Sequence, residues 1–230
     1  MRLILFDIDG TLISSRGVGR RAFSRALSDV YGTSGPVDGY DFRGKTDPRI
    51  VLDLMQAAGV PEATIRARMD ACFSAYLAEL ARLIAAEDCV KLMPGVGQIV
   101  AGLSARPDEF MVGLLTGNIQ AGAELKLGPT GLWPRFRVGA FGSDDVDRRR
   151  LPAIACARAQ AIAGRDFPFE RVTIIGDTPL DVDCARSCGA VAVAVATGLY
   201  PHAELAACTP DLIFEDFSDA AAALAALTAT

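Results

Sequence analysis

The chain holds one histidine, one tryptophan and only three lysines, Lys45, Lys91 and Lys126, among its 230 residues. The scarcity of histidine argues against a zinc centre: Cys184 and Cys188 stand one helical turn apart, but they have no second pair and only His202 as a nitrogen donor. The remaining cysteines, Cys72, Cys89, Cys156 and Cys208, are scattered through a chain too long to need staples, so free thiols are expected. No apolar stretch approaches eighteen residues without a charge or a breaker, which excludes a hydrophobic membrane-spanning helix. Long runs of like charge are missing too. With 28 acids against 23 lysines and arginines the formal net charge is -5, so neither nucleic acid nor an acidic membrane is expected as a partner, and no obligate protein partner is evident. Met1 runs almost directly into a strand pattern with an acidic end, leaving no space for a secretory leader, and a cytoplasmic protein is expected.

What is present is a core-forming composition, 51% hydrophobic, enough for one large domain or a domain with an insertion. The chain opens on Leu3-Ile4-Leu5-Phe6-Asp7-Ile8-Asp9-Gly10-Thr11, four apolar residues running into two acids. A short apolar run closed by a turn signal reads as a buried strand of a parallel sheet. Residues i and i+2 of an extended segment project to one side, so Asp7 and Asp9 can address one ligand just beyond the strand's carboxyl end, where open parallel sheets bind.

From about residue 15 to 88 the pattern is helical throughout: Arg16 to Tyr31, Asp47 to Ala58, and one long helix from Pro61 through Ile84. From Val90 onward helices and strands alternate. Helices are expected at Pro94 to Leu103, Ala121 to Leu127, Leu151 to Ala163 and from Pro179, and strands at Phe110 to Leu115, Arg137 to Phe141, Val172 to Ile175, Val191 to Val195 and Leu212 to Phe214, before an alanine-rich terminal helix. The fold class is therefore α/β, a doubly wound, mainly parallel sheet formed by residues 1–14 and 90–230, with an all-helical cap of residues 15–89 inserted after the first strand. Gly95-Val96-Gly97 lacks a preceding strand and reads as loop punctuation rather than a dinucleotide fingerprint, and His202, beside Pro201 in a connection, is expected to do nothing chemical.

Three strands end in polar residues: Asp7 with Asp9, Thr116 with Asn118, and Asp177 with Asp181. Several carboxylates in one pocket raise one another's pKa unless a cation intervenes, and a hard, oxygen-seeking ion such as Mg²⁺ fits that donor set together with a phosphate. Gly10 and Gly117 permit close backbone approach, and Thr116 with nearby amides can bind phosphoryl oxygens.

Asp7-Ile8-Asp9-Gly10-Thr11, Leu114-Leu115-Thr116-Gly117-Asn118 and Ile175-Gly176-Asp177-Thr178-Pro179-Leu180-Asp181 together resemble, in order and spacing, the motifs of the haloacid dehalogenase superfamily in its phosphatase branch. The Gly44-Lys45-Thr46-Asp47-Pro48 stretch is similar to the cap of phosphoglycolate phosphatase-like members. The resemblance implies an Mg²⁺-dependent phosphatase for a small phosphorylated metabolite, phosphoglycolate-like or a sugar phosphate. Asp7 would be the nucleophile that forms an aspartyl-phosphate, and Asp9 the acid for the leaving alcohol and then the base for water. Mg²⁺ would be held by Asp7, the Asp9 carbonyl and Asp177, with Asp181 close behind, and Thr116 would assist catalysis. Gly10, Thr11, Gly117, Asn118 and Lys45 would contact substrate. Members usually carry a lysine between the second and last motifs; none follows Lys126 here, so one of Arg148, Arg149 and Arg150 is expected to substitute, Arg148 first because Leu151-Pro152 looks like a helix start. Dehalogenase chemistry is disfavoured by the second acid, Asp9. A phosphomutase of the β-phosphoglucomutase type and a weakly catalytic binding protein remain alternatives on the same fold.

Overall fold

A computed structural model describes residues 1–229. The elements run β1 (Arg2–Phe6), β2 (Ile13–Ser14), α1 (Val18–Tyr31), α2 (Asp47–Ala57), α3 (Glu62–Ala67), α4 (Met69–Ala86), β3 (Lys91–Leu92), α5 (Val96–Ser104), β4 (Phe110–Thr116), α6 (Gln120–Leu127), β5 (Val138–Phe141), α7 (Leu151–Ala163), β6 (Val172–Gly176), α8 (Pro179–Cys188), β7 (Val191–Val195), α9 (His202–Ala207), β8 (Leu212–Phe214) and α10 (Ala220–Ala229). Six strands form one sheet in the order β5-β4-β1-β6-β7-β8, and every pairing in it is parallel.

Alternation along the central strand decides how the sheet is covered. Leu3 and Leu5 join a core with Met111, Ile174, Ala155 and Ala185, whereas Ile4 and Phe6 join the opposite core with Val112, Leu114, Ile99 and Leu103. Both faces are therefore packed under helices, the condition that lets a parallel strand be apolar at every position. The order of connections reverses at β1, which has β4 on one side and β6 on the other. Polar ends of these three strands are thus brought to one crevice, the switch point where α/β sheets place ligands.

The chain leaves and re-enters the sheet layer through a two-residue antiparallel pair, Ile13 with Leu92 and Ser14 with Lys91. Neither strand is long enough to show a sequence period. Arg16 and Gly17 both take left-handed φ, 46° and 73°, and this delays α1 to Val18 instead of Arg16. The single long helix expected from Pro61 is two. The Ile65 carbonyl accepts from Arg68 N and from the Tyr31 hydroxyl at 2.9 Å, and a new helix begins with Cys72 N donating to Arg68 O. The break lets Ile65 and Cys72 both reach the core without proline or glycine to announce it. His202 also lies in a helix, α9, which follows Pro201. Among the described residues no helix is long and apolar enough to cross a membrane.

Candidate active site

A cavity of about 400 Å³ opens at the carboxyl ends of β1, β4 and β6, roofed by α1, α4 and the 42–47 loop. Asp7 follows β1 directly and is 5% exposed; its backbone N–H donates to Ile175 O and keeps the extended run in line with β6. Gly10 then turns the chain at φ +90°, so close to Asp177 that an added Cβ would lie 2.3 Å from a carboxylate oxygen. Only glycine meets both conditions. On the β4 side a Cβ at Gly117 would fall 2.0 Å from the Lys45 carbonyl, so this glycine sets how near the 44–47 loop can come.

Carboxylate oxygens of Asp7, Asp177 and Asp181 lie within 4.8 Å of one another, and all three residues are buried. Thr11 Oγ1 donates to Asp177 Oδ1 at 2.9 Å. Asp181 belongs to a capping box at the start of α8: its Oδ2 accepts from Thr178 N at 3.0 Å and Thr178 Oγ1 at 2.7 Å. Burial is the largest cause raising the Asp7 pKa, to about 6; Asp181 and Asp9 add to it and Arg148 opposes it. Asp177 is pushed well above the carboxylate range by burial, with Asp181 and Asp7 next. Such a cluster, crowded, acidic and made only of oxygens, suits a hard divalent cation, whose charge would relieve the repulsion.

Of Arg148, Arg149 and Arg150, Arg148 is the one that reaches the acid cluster. Its guanidinium is buried, with Nη2 3.1 Å from Asp7 Oδ1 and 2.5 Å from Asp181 Oδ1, and it donates to Leu115 O and Gly44 O. Arg149 pairs with Asp183 and Arg150 with Asp145, both on the surface. Asp147 caps the short 3₁₀ turn of these arginines by accepting from Arg149 N, and that turn sends only Arg148 inward.

Asp9 lies outside the carboxylate cluster. Its Oδ1 accepts from Ser15 Oγ at 2.9 Å; its Oδ2 accepts from Asn118 Nδ2 at 3.0 Å and from Lys126 Nζ at 2.6 Å. Burial acts to raise Asp9, but the Lys126 ammonium and these hydrogen bonds override it and hold Asp9 below the ordinary range. Asn118 is locked in turn, donating to Thr116 Oγ1 at 2.9 Å and accepting from Lys126 Nζ at 2.6 Å.

The helical block meets this crevice through the 44–47 loop. Asp47 N donates to Gly117 O at 2.7 Å, Asp47 Oδ2 accepts from Ile119 N at 2.7 Å, and Thr46 Oγ1 donates to Val146 O at 2.8 Å. Burial pushes the Asp47 carboxyl up to about 7 despite Lys126 nearby. Lys45 lines the cavity with its Nζ 3.9 Å from the Tyr40 ring centroid and 3.9 Å from Asp53 Oδ2. Residues 14–50 carry seven basic side chains against four acidic ones. Most are committed locally: Arg20 donates to Val37 O and Tyr40 O, Arg43 pairs with Asp41, Arg21 with Glu87, Arg25 with Asp29 and Arg49 with Asp53.

Sequence reasoning gave no role to Lys126, Asp47, Ser15 or the Thr197-Gly198-Leu199 stretch, all of which line the cavity. For Lys126 a signal existed, because it shares the buried face of α6 with Gly122, Ala123 and Leu127, and a lysine on a buried face requires a partner. Thr197, whose hydroxyl donates to Gly10 O at 2.6 Å, had none; its placement follows from β7 lying beside β6.

Sheet, crevice and buried acids together define an α/β protein with an acidic site at the carboxyl ends of its parallel strands. The haloacid dehalogenase-like hydrolase profile matches residues 4–186, and the chain belongs to that family, in its phosphoglycolate phosphatase-like branch. It is 30% identical over 221 residues to a phosphoglycolate phosphatase of Synechococcus elongatus, covering 95% of each chain. Similarity to the probable phosphatase IndB of Dickeya dadantii is 27% over 227 residues, covering 98% of this chain and 94% of that one. Among solved structures, a hydrolase from Pseudomonas syringae superposes with a TM-score of 0.74 at 20% identity over 99% of both chains. CbbY from Rhodobacter sphaeroides, in complex with phosphate, gives 0.69 at 18% over 95% of this chain and 96% of that one.

Proposed function

We propose that the protein is an Mg²⁺-dependent phosphatase of small phosphomonoesters, phosphoglycolate-like or sugar phosphates, working through an aspartyl-phosphate on Asp7. The observation that carries this reading is the division of the motif acids: Asp7 gathered with Asp177 and Asp181, and Asp9 held apart on its own set of donors. The names of the relatives and the small cavity support the substrate class.

Asp7 attacks phosphorus while the bond to the ester oxygen breaks, and Asp9 delivers a proton to that oxygen. Water then attacks the aspartyl-phosphate, Asp9 takes its proton, and the Asp7 carboxylate leaves. Arg148 holds Asp7 in place and offsets phosphoryl charge. Asp7, Asp177 and the Asp9 carbonyl would hold Mg²⁺, with Asp181 behind them; the ion supplies charge neutralisation to the transferring phosphoryl group. Thr11, by its bond to Asp177, keeps that carboxylate oriented. Thr116, Gly117 and Asn118 line the cavity with Gly10, where they would meet the phosphoryl group, and Lys45 lines the same cavity from the 44–47 loop. Residues 15–89 act as a cap over a core of residues 1–14 and 90–230, hinged near Ile13 to Gly17 and Cys89 to Pro94.

A panel of phosphomonoesters assayed with and without Mg²⁺ tests the reading. Phosphate release from at least one member should require the metal, and Asp7→Asn should abolish it. Turnover by Asp7→Asn equal to that of the parent would refute the nucleophile.

A further inference from the structure

The two buried cations of the crevice are divided between the two motif acids. Arg148 faces Asp7 and Asp181, whereas Lys126, only 5% exposed, faces Asp9. We propose that Lys126 is the positioning residue that sets the Asp9 carboxylate for proton transfer, a role that rests on reading Asp9 as the acid and base of the phosphatase.

Lysine donates and never accepts, so the Asn118 side-chain oxygen must turn toward Lys126 Nζ, 2.6 Å away. The Asn118 amide nitrogen is thereby aimed at Asp9 Oδ2 and Thr116 Oγ1. Lys126 also binds Asp9 Oδ2 directly at 2.6 Å. One ammonium thus fixes both donors on Oδ2, each carried by the β4–α6 side of the core. The other oxygen, Oδ1, meets only the Ser15 hydroxyl, from the neck between sheet and helices. Oδ2 is consequently the anchored oxygen and Oδ1 the working one, with Ser15 as the partner it exchanges for an ester oxygen or a water. In the first half-reaction a proton brought in by the phosphomonoester monoanion passes by way of Asp9, ionised in the resting enzyme, to the ester oxygen as the P–O bond breaks and its electron pair stays with that oxygen. In the second, a proton of the attacking water passes to Asp9 as the bond from phosphorus to the Asp7 oxygen breaks. Lys126 neither gains nor loses a proton in either step.

The helical block closes over this arrangement. A Cβ on Gly19 of α1 would lie 3.3 Å from Lys126 Nζ and 3.8 Å from the Tyr76 hydroxyl, a buried group with no hydrogen-bond partner. Packing of α1 and α4 therefore bears directly on the ammonium that orients Asp9, and Gly19 offers a way to press on it from outside the reacting groups.

The test compares two esters in single turnover, with enzyme in excess and Mg²⁺ present: p-nitrophenyl phosphate, whose phenolate leaves without a proton, and an alkyl phosphomonoester, whose alkoxide needs one. Lys126→Met, which keeps the length and removes the charge, should slow alcohol release from the alkyl ester about 10- to 100-fold. Release of p-nitrophenol should stay within about threefold of the parent, with KM values, measured separately in the steady state, close to the parent's. Gly19→Ala should shift the ratio of the two rates in the same direction, by less, while the thermal midpoint stays level or rises, because alanine favours the helix. An unmoved ratio in Lys126→Met, or an equal fall on both esters, overturns the proposal. Should Lys126→Met fail to fold, an unmoved ratio in Gly19→Ala overturns it instead. A parent that hydrolyses neither ester removes the phosphatase reading and this one with it, whereas an active parent with an unmoved ratio removes the role of Lys126 alone.

Discussion

Arg148 is the residue on which the crevice is most dependent, because its guanidinium bridges Asp7 and Asp181 where none of the three is more than 8% exposed. Burial opposes its charge, but the two carboxylates more than compensate and raise its pKa. A buried pair of this kind adds little net stability, yet removing one partner strands the other. Arg148→Met should therefore cost about 3–5 kcal/mol, read as a lower urea midpoint at neutral pH without metal. Arg148→Lys should fall between parent and Met, since an ammonium retains the charge but cannot span both acids as the planar fork does. A methionine variant as stable as the parent would show that the carboxylates do not need the cation. At this scale the sequence disclosed the acids readily, because apolar strands that end in Asp are visible in one dimension. Lys126 was visible only as a lysine on the apolar face of α6, and its partner was hidden because that carboxylate follows a strand more than a hundred residues away.

Thr46 joins two elements at once. Its side chain accepts from Arg49 N to cap α2 and donates to Val146 O across to the core. Thr46→Ala should lose both bonds, destabilising by about 1–2 kcal/mol; urea unfolding measures the loss. It should also raise KM for the preferred ester, because the 44–47 loop would dock less firmly beside Gly117. An unchanged urea midpoint would mean that backbone contacts of Asp47 hold the loop alone. Elements of ten or more residues were legible where period and punctuation agreed: α7 spans Leu151 to Ala163 as expected, and α1 ends at Gly32 as expected. What was hidden depends on tertiary contact. The α3–α4 break arises because Tyr31 competes for the Ile65 carbonyl, and the β2–β3 pair is a product of the two crossings of the neck meeting.

Across the whole molecule the acids outnumber their buried counterions. Asp7, Asp47, Asp177 and Asp181 are buried with Asp9 beside them, against Arg148 and Lys126. Asp7 and Asp47 are raised to about 6 and about 7, and Asp177 is raised as well. For each, the folded state holds its proton over a range where the unfolded chain, with carboxylates near 3.9, has released it. Stability is therefore full below about pH 4 for these groups and declines as pH rises through their folded values. Asp9, held low, contributes in the opposite sense, and only below that range. The metal-free protein should show a falling thermal midpoint between about pH 5 and 7.5, and the increment added by Mg²⁺ should grow over the same interval, as the ion replaces protons in the cluster. A metal-free midpoint that climbs across this interval would contradict the assignment.

The central place of β1 has a further consequence, for the birth of the protein. Its neighbours on either side begin at Phe110 and Val172, so its hydrogen-bonding edges find no partner until more than a hundred further residues have been translated. At about 5–20 residues per second that wait lasts several seconds. Throughout it, Leu3-Ile4-Leu5-Phe6 is a sticky ribbon with two open edges, the kind of segment that nascent chains must keep from strangers. The segment that leads to Asp7 emerges from the ribosome well before the strands that give it its shape.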